Sequence, residues 1–130
     1  PHLAGAPYQD ALIRCAAGLN ASRRNDALLY TSDRMAHMIG NGQAILIDRA
    51  TGYDRLFTAG QMAFFSGFDE LAGLVRRLAA EPVWRQNLAQ AGRARYLELF
   101  NETAIAAYVV DVAFGTHDAG KYEWPTLIDA

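Results

Sequence analysis

The chain has 130 residues, half of them apolar and a fifth charged, a size and balance that suit one soluble globular domain with a real core. A formal net charge of −2, with no basic run longer than Arg23-Arg24 or Arg76-Arg77, argues against a nucleic-acid footprint, and no apolar run is long enough to span a membrane. The single Cys15 cannot form an internal disulfide; its neighbours Ile13, Ala16 and Ala17 suggest a small buried apolar side chain, with a reducing cytoplasm as the default setting.

Pro1 to Pro7 reads as an irregular lead-in, and a chain that opens without an initiator Met suggests a processed or excised fragment. Tyr8 to Ala17 places Leu12, Ile13 and Ala16 on one helical face, and Gly18-Leu19-Asn20-Ala21 suits a short edge strand. Ser22 to Asp26 reads as a polar loop. Thr31 to Arg49 is the stretch around which the rest is organised. Ser32 and Asp33 are good N-cap residues, because a short side-chain oxygen can accept from the first free amides of a helix. Met35, Met38 and Ile39 give one buried helical face, and Asn41-Gly42 stops the helix. Ala44-Ile45-Leu46-Ile47 is apolar without alternation, as in a strand buried on both faces of a parallel sheet. Asp48-Arg49-Ala50-Thr51-Gly52 then forms a polar loop at the strand's carboxyl end, where open α/β sheets bind ligands.

Tyr53 to Phe57 is long enough for a single turn, and Met62 to Phe65 is a second buried strand. Ser66-Gly67-Phe68-Asp69 fits a capping box with Asp in place of Glu, ahead of an amphipathic helix (Leu71, Leu74, Val75, Leu78) ending near Ala80. Pro82 opens a longer helix carrying Trp84, Leu88, Ala91 and Ala94 to about Phe100. Asn101 caps another, with Ile105, Tyr108, Val109 and Val112 on one face and Gly115 at its end. Thr116 to Ala130, with Trp124-Pro125, reads as an extended tail. Strands alternating with helices predict an α/β fold: a Rossmann-like three-layer α/β/α arrangement with a small parallel sheet of three to four strands and several C-terminal helices.

Taken in order, Ser32-Asp33-Arg34-Met35 through Gly42, the strand that follows, Tyr53-Asp54-Arg55-Leu56-Phe57, Met62-Ala63-Phe64-Phe65 and Phe68-Asp69-Glu70-Leu71 resemble the C-terminal half of a GT-B glycosyltransferase. The nearest pattern is that of the bacterial spore-maturation-type enzymes within the glycosyltransferase family 1-like group. Pro82 through Phe100, with Arg85, Ala89, Gly92 and Arg95, is similar to the helix that follows in that family. The resemblance runs from Tyr8 to Phe114 and rests on a series of weak motifs. It implies one domain over residues 1–130, the donor-binding part of a larger enzyme, holding a nucleotide-diphosphate sugar without metal or cofactor and facing an N-terminal acceptor domain in the same protein. It implies that Arg34, beside Ser32, approaches the diphosphate and that the loop after Gly42 lines the donor pocket. The family's carboxylate falls at His37, and a second acidic position at Gln61; a neutral imidazole cannot replace a two-oxygen acceptor.

Asp48, Arg49 and Thr51 complete the candidate donor site, placed there by the strand they follow. For each of these residues a structural reading stands beside the functional one: Arg34 as an ion-paired helix start, His37 as a solvent-facing side chain, Gly42 as a C-cap. Asn20, Ser22, Arg23 and Arg24 could meet phosphate or form a solvated loop, and Tyr8 and Trp124 are candidates for contact with another domain. His2, His37, His117 and Cys15 show no metal-ligand spacing, no G-x-S-x-G elbow or phosphate loop occurs, and Asp69-Glu70 are helix-start charges. Two other functions fit the same pattern: a non-catalytic α/β interaction or receiver-like module, and a pseudo-glycosyltransferase. A receiver would carry acids after its first strand, where this chain has Asn20-Ala21-Ser22-Arg23.

Overall fold

The computed structural model describes residues 4–21, 27–30 and 32–124. Three parallel strands, β1 (Ala17–Asn20), β2 (Ala44–Asp48) and β3 (Ala63–Phe65), lie in the order β1-β2-β3. Leu19 pairs with Leu46, and Leu46 with Ala63. Helices α1 (Ala6–Arg14) and α2 (Asp33–Gly40) precede β1 and β2; α3 (Phe68–Ala80), α4 (Pro82–Leu99) and α5 (Glu102–Ala113) follow β3.

Side chains alternate along a strand, so β2 feeds two cores. Ile45 and Ile47 join Met35, Met38 and Ile39 of α2, Tyr53, Phe57, Met62 and Phe64, with Leu12 of α1 packed alongside. Ala44 and Leu46 face the other way, onto Ala63, Phe65, Leu78, Leu88 and Ala89. These are the three layers of a Rossmann-like α/β/α fold, with α1 and α2 on the first face and α3 on the second. The central β2 is buried on both sides, which explains its unbroken apolar run.

The end of α2 shows how local chemistry sets the path. Gly42 is left-handed (φ 76°), its N–H donates to the Ile39 carbonyl at 3.0 Å, and Gln43 N–H donates to Met38 at 3.1 Å. This pair of bonds is a Schellman cap, which needs a residue without a Cβ penalty at the left-handed position. The turn delivers the chain directly into β2.

Helix α4 crosses beneath the amino edge of the sheet. Gly92 lies against the Gln61 carbonyl, so close that a Cβ there would sit 2.2 Å from that oxygen. Arg93 Nε donates to the Gly40 carbonyl (3.1 Å), and Arg95 Nε donates to that of Leu56 (3.2 Å). Leu88 and Ala89 pack on the second core, and Leu99, with Tyr96 and Phe100, on the first. The amino edge is thereby closed.

Several local expectations are corrected. Helix α1 ends at Arg14, with Cys15 already extended (φ −92°, ψ 127°), so Cys15 is exposed rather than buried. Ile13 is 73% exposed because it lies about 100° around the helix from the inward-facing Leu12. The box expected at Ser66-Asp69 is shifted by one residue. Gly67 is the N-cap of α3, and it is Glu70 that reaches back to accept from the Ser66 N–H at 2.7 Å. The apolar face of α5 remains in solvent, with Ile105, Val109 and Val112 all exposed.

The tail is not extended throughout. A 3-10 turn at Ala119–Lys121 folds it back so that Asp111 accepts from Lys121 Nζ (2.6 Å) and Tyr122 Oη (2.7 Å). Trp124 packs on Phe100 and Tyr122 at ring-centroid distances of 5.4 and 5.1 Å, which makes it a half-buried core residue rather than an exposed contact. The expected loop at Ser22 to Asp26, including Arg23 and Arg24, and Pro125 lie outside the described residues.

Candidate functional site

With α4 across the amino edge, the polar elements gather at the carboxyl edge. There β1 ends at Asn20, β2 at Asp48 and β3 at Phe65, and the N-termini of α2 and α3 begin. A helix start presents backbone N–H groups and the positive end of its dipole, a setting suited to anions.

Ser32 is the N-cap residue of α2, and Arg34 stands in its first turn. Arg34 Nη2 donates to the backbone carbonyl of Ala21, just past β1, at 2.8 Å. The guanidinium therefore sits at the carboxyl end of the sheet, held by one of its five N–H donors. Among the described residues, Arg34 meets this carbonyl rather than a carboxylate.

The loop after β2 is built from local bonds. Asp48 caps a 3-10 turn, Arg49–Thr51, by accepting from the Ala50 N–H at 2.9 Å. Thr51 is 1% exposed, and its hydroxyl donates back to the Asp48 carbonyl at 2.6 Å. Thr51 thus shapes the loop from inside. Arg49 is on the outside: its guanidinium lies 5.5 Å from the centre of the Phe64 ring and 3.8 Å from the Asp54 carboxylate. With both charges about half exposed, that ion pair contributes little to stability, and its role is to aim the side chain.

Two residues outside the candidate donor site complete this edge. Leu29 N–H donates to the Thr51 carbonyl at 2.7 Å with a left-handed backbone (φ 56°), which costs a non-glycine residue of order 1 kcal/mol. It ties the segment entering α2 to the loop leaving β2. Glu70 holds the Ser66 backbone at the end of β3. Neither has a local sequence signal beyond the acid in the first turn of α3, since a left-handed Leu is set by its tertiary contacts.

His37 and Gly42 are placed elsewhere. His37, one turn further along α2 than Arg34, is turned towards α1, where Tyr8 Oη lies 3.3 Å from its Nδ1. Tyr8, Gln9, Leu12 and Asn41 line an open pocket of about 230 Å³ around it. Tyr8 is therefore half-buried against α2. Gly42 terminates α2 at the opposite, closed edge of the sheet, about 12 Å from the helix start by the rise of an eight-residue helix. Its cap bonds account for it. Gln61 also belongs to the amino edge, where its Oε1 accepts from the Thr58 N–H at 2.9 Å. Ser32, Arg34, Asp48 and Arg49 thus all lie along the carboxyl edge of the sheet, Thr51 is buried in the loop there, and His37 and Gly42 lie elsewhere.

Among the described residues, no three His, Cys, Asp or Glu side chains gather where a metal ion could be held, and no helix is long and apolar enough to cross a membrane. No curated protein and no solved structure matches the chain. A family model does, over residues 1–111, and it covers α1 through most of α5, including every residue of the carboxyl edge. With its three-stranded parallel sheet and a basic polar edge at the strand ends, the chain belongs to the glycosyl transferase-like family.

Proposed function

We propose that this chain is the donor-binding part of a GT-B glycosyltransferase, which holds a nucleotide-diphosphate sugar at the carboxyl edge of its sheet without metal. The observation that carries the reading is the placing of Arg34 at the end of β1, beside the start of α2 and next to the Asp48-Arg49 loop. A diphosphate seated there would meet a planar fork of donors, a second guanidinium and helix-terminal amides.

In transfer, an acceptor hydroxyl oxygen forms the new bond to the anomeric carbon as the bond from that carbon to the diphosphate oxygen breaks. The electron pair leaves with the nucleoside diphosphate, and the hydroxyl proton goes to a base. Arg34, Arg49 and the amides of α2 stabilise the departing charge, which is larger in the transition state than in the donor. The base and the acceptor site belong to the acceptor domain of the same protein. The resemblance and the lone Cys15 are consistent with a bacterial cytoplasmic enzyme.

The test is an NMR titration with UDP, GDP, ADP and TDP. Shifts at Ser32, Arg34, Asp48 and Arg49 for one nucleotide are the expected result, and they identify the base. Shifts confined to the pocket around Tyr8 and His37 would overturn this placement. Silence from all four, in this chain and in a longer polypeptide of the same protein, would overturn donor binding.

A second reading, a pseudo-glycosyltransferase, is favoured by one observation. At the two positions where the resemblance expects an acid, His37 meets Tyr8 and Gln61 caps its own turn. Nucleotide binding without donor hydrolysis or transfer by the full-length protein would select it.

A further inference from the structure

We propose that residues 27–30 form a strap that closes onto the loop after β2 and opens by rotation at Leu29, and that an anion at the carboxyl edge is held by the closed form. The inference deepens the donor-binding reading, on which it rests, by naming a conformational control of the same site.

The strap is a tight turn, closed by the Tyr30 N–H donating to the Ala27 carbonyl at 3.2 Å. Its third residue, Leu29, is left-handed (φ 56°), and among the described residues it is the sole non-glycine in that region. Gly or Asn is the usual occupant of a left-handed turn position, because a Cβ there crowds the following carbonyl. Local preference therefore works against this turn, and tertiary contacts hold it. The Leu29 N–H donates to the Thr51 carbonyl at 2.7 Å, and the Leu29 side chain packs on the first core. Leu28 supplies a second grip. Its Cδ1 lies 2.4 Å from where a Cβ on Gly52 would stand, so it rests on bare backbone at the end of the 3-10 turn. Both leucines are only part-buried. A strained backbone gripped this lightly opens more readily than the core around it.

The strap stands between the two basic elements of the edge. The loop it grips carries Asp48 and Arg49, and the strap itself runs on to Ser32 and Arg34 at the start of α2. Closure therefore fixes one element against the other. A diphosphate that contacts both binds the closed strap more tightly than the open one, and that difference is what allows a ligand to shift the balance. By linkage, the ligand then protects the bond that defines closure. Leucine at position 29, where glycine would be unstrained, keeps the closed form dependent on its contacts.

Hydrogen exchange of the Leu29 amide reads closure directly, because that N–H makes the bond to Thr51. The probes are inorganic pyrophosphate, UDP, GDP, ADP and TDP. In the free protein the Leu29 amide should exchange at least tenfold faster than the amides of Ile45 to Ile47, and a saturating probe should slow it at least tenfold. Leu28→Ala should speed Leu29 exchange severalfold, leave Ile45 to Ile47 unchanged and weaken probe binding, and Leu28→Met should restore both. Exchange of Leu29 in step with β2 overturns the proposal, as does a probe that binds, with shifts at Arg34 and Arg49, without slowing Leu29. Either outcome leaves donor binding standing. If no probe binds, donor binding falls and the role of the strap falls with it. If Leu28→Ala fails to fold, the unsubstituted protein with and without probe decides.

Discussion

Arg34 donates to the Ala21 carbonyl at 2.8 Å, so the first turn of α2 is tied to the end of the strand that precedes it, at the sheet's carboxyl edge. The contact fixes a cation where a helix dipole already favours an anion. Arg34→Ala should weaken nucleoside-diphosphate binding by about tenfold to a hundredfold, the range of one charge-assisted hydrogen bond. Because the lost contact is exposed, stability should fall by only about 1 kcal/mol. Arg34→Lys should recover part of the affinity, since it keeps the charge and loses the fork. Calorimetric titration with a parallel melting curve measures both; unchanged affinity in Arg34→Ala would remove this residue from the site.

Arg49 and Thr51 are two residues apart in sequence and should respond in opposite ways. Thr51→Val keeps the shape and deletes the hydroxyl that donates to Asp48, so it should cost about 1 kcal/mol of stability. Its effect on nucleotide affinity should stay within about twofold. Arg49→Ala should leave stability within about 0.5 kcal/mol and lower affinity severalfold. Denaturant unfolding and titration of both variants separate the residue that shapes the loop from the one that faces outward.

Two helical glycines make a sharper contrast. Gly92→Ala would drive a methyl group into the Gln61 carbonyl, backbone against backbone, and should destabilise the fold by about 2–3 kcal/mol. Gly73→Ala, in α3 with nothing within 4 Å of its Cβ position, should stabilise by about 0.5–1 kcal/mol through helix propensity. Urea unfolding midpoints with unchanged slope would establish both signs.

Acid should loosen the folded-back tail. Hydrogen bonds from Lys121 and Tyr122 hold the Asp111 carboxyl below its ordinary range. A depressed native pKa contributes stability that is complete above the unfolded value, about 3.9, and is lost as pH falls through the native one. Trp124 fluorescence should therefore change below about pH 4 as its contact with Tyr122 is released, and Asp111→Asn should abolish that step. A titration curve identical in Asp111→Asn would refute the assignment.

Alkali should ionise Tyr53, Tyr96 and Tyr122 late. Burial keeps Tyr53 and Tyr96 neutral above their ordinary range, and burial with Asp111 beside it pushes Tyr122 up to about 12. A raised native value contributes stability that is complete below the unfolded pKa, near 10, and declines as pH rises towards the native one. Absorbance at the phenolate band should show a late step, above the ordinary tyrosine range, that coincides with loss of ellipticity. Tyr53→Phe should shrink that step.

Local chemistry determined the parts of this protein whose information is local. Asn41-Gly42 stops α2, Pro82 opens α4 and Asn101 caps α5, because each supplies a backbone preference or a short-range bond without help from distant residues. The apolar run of Ala44 to Ile47 was legible as a doubly covered strand, since only a central parallel strand is buried on both faces. Tertiary structure decided what lies between elements. Thr51 and Arg49 share one polar loop in sequence, and only the packing of that loop turns one inward and one outward. Gly42 follows Arg34 by eight positions, yet the length of α2 puts them at opposite edges of the sheet, one closed by α4 and the other carrying the strand ends. Trp124, exposed by every local signal, is drawn into an aromatic cluster by a turn that Asp111 holds from a different helix. Spacing along a chain fixes which face of its own element a side chain takes, and contacts between elements fix what that face meets.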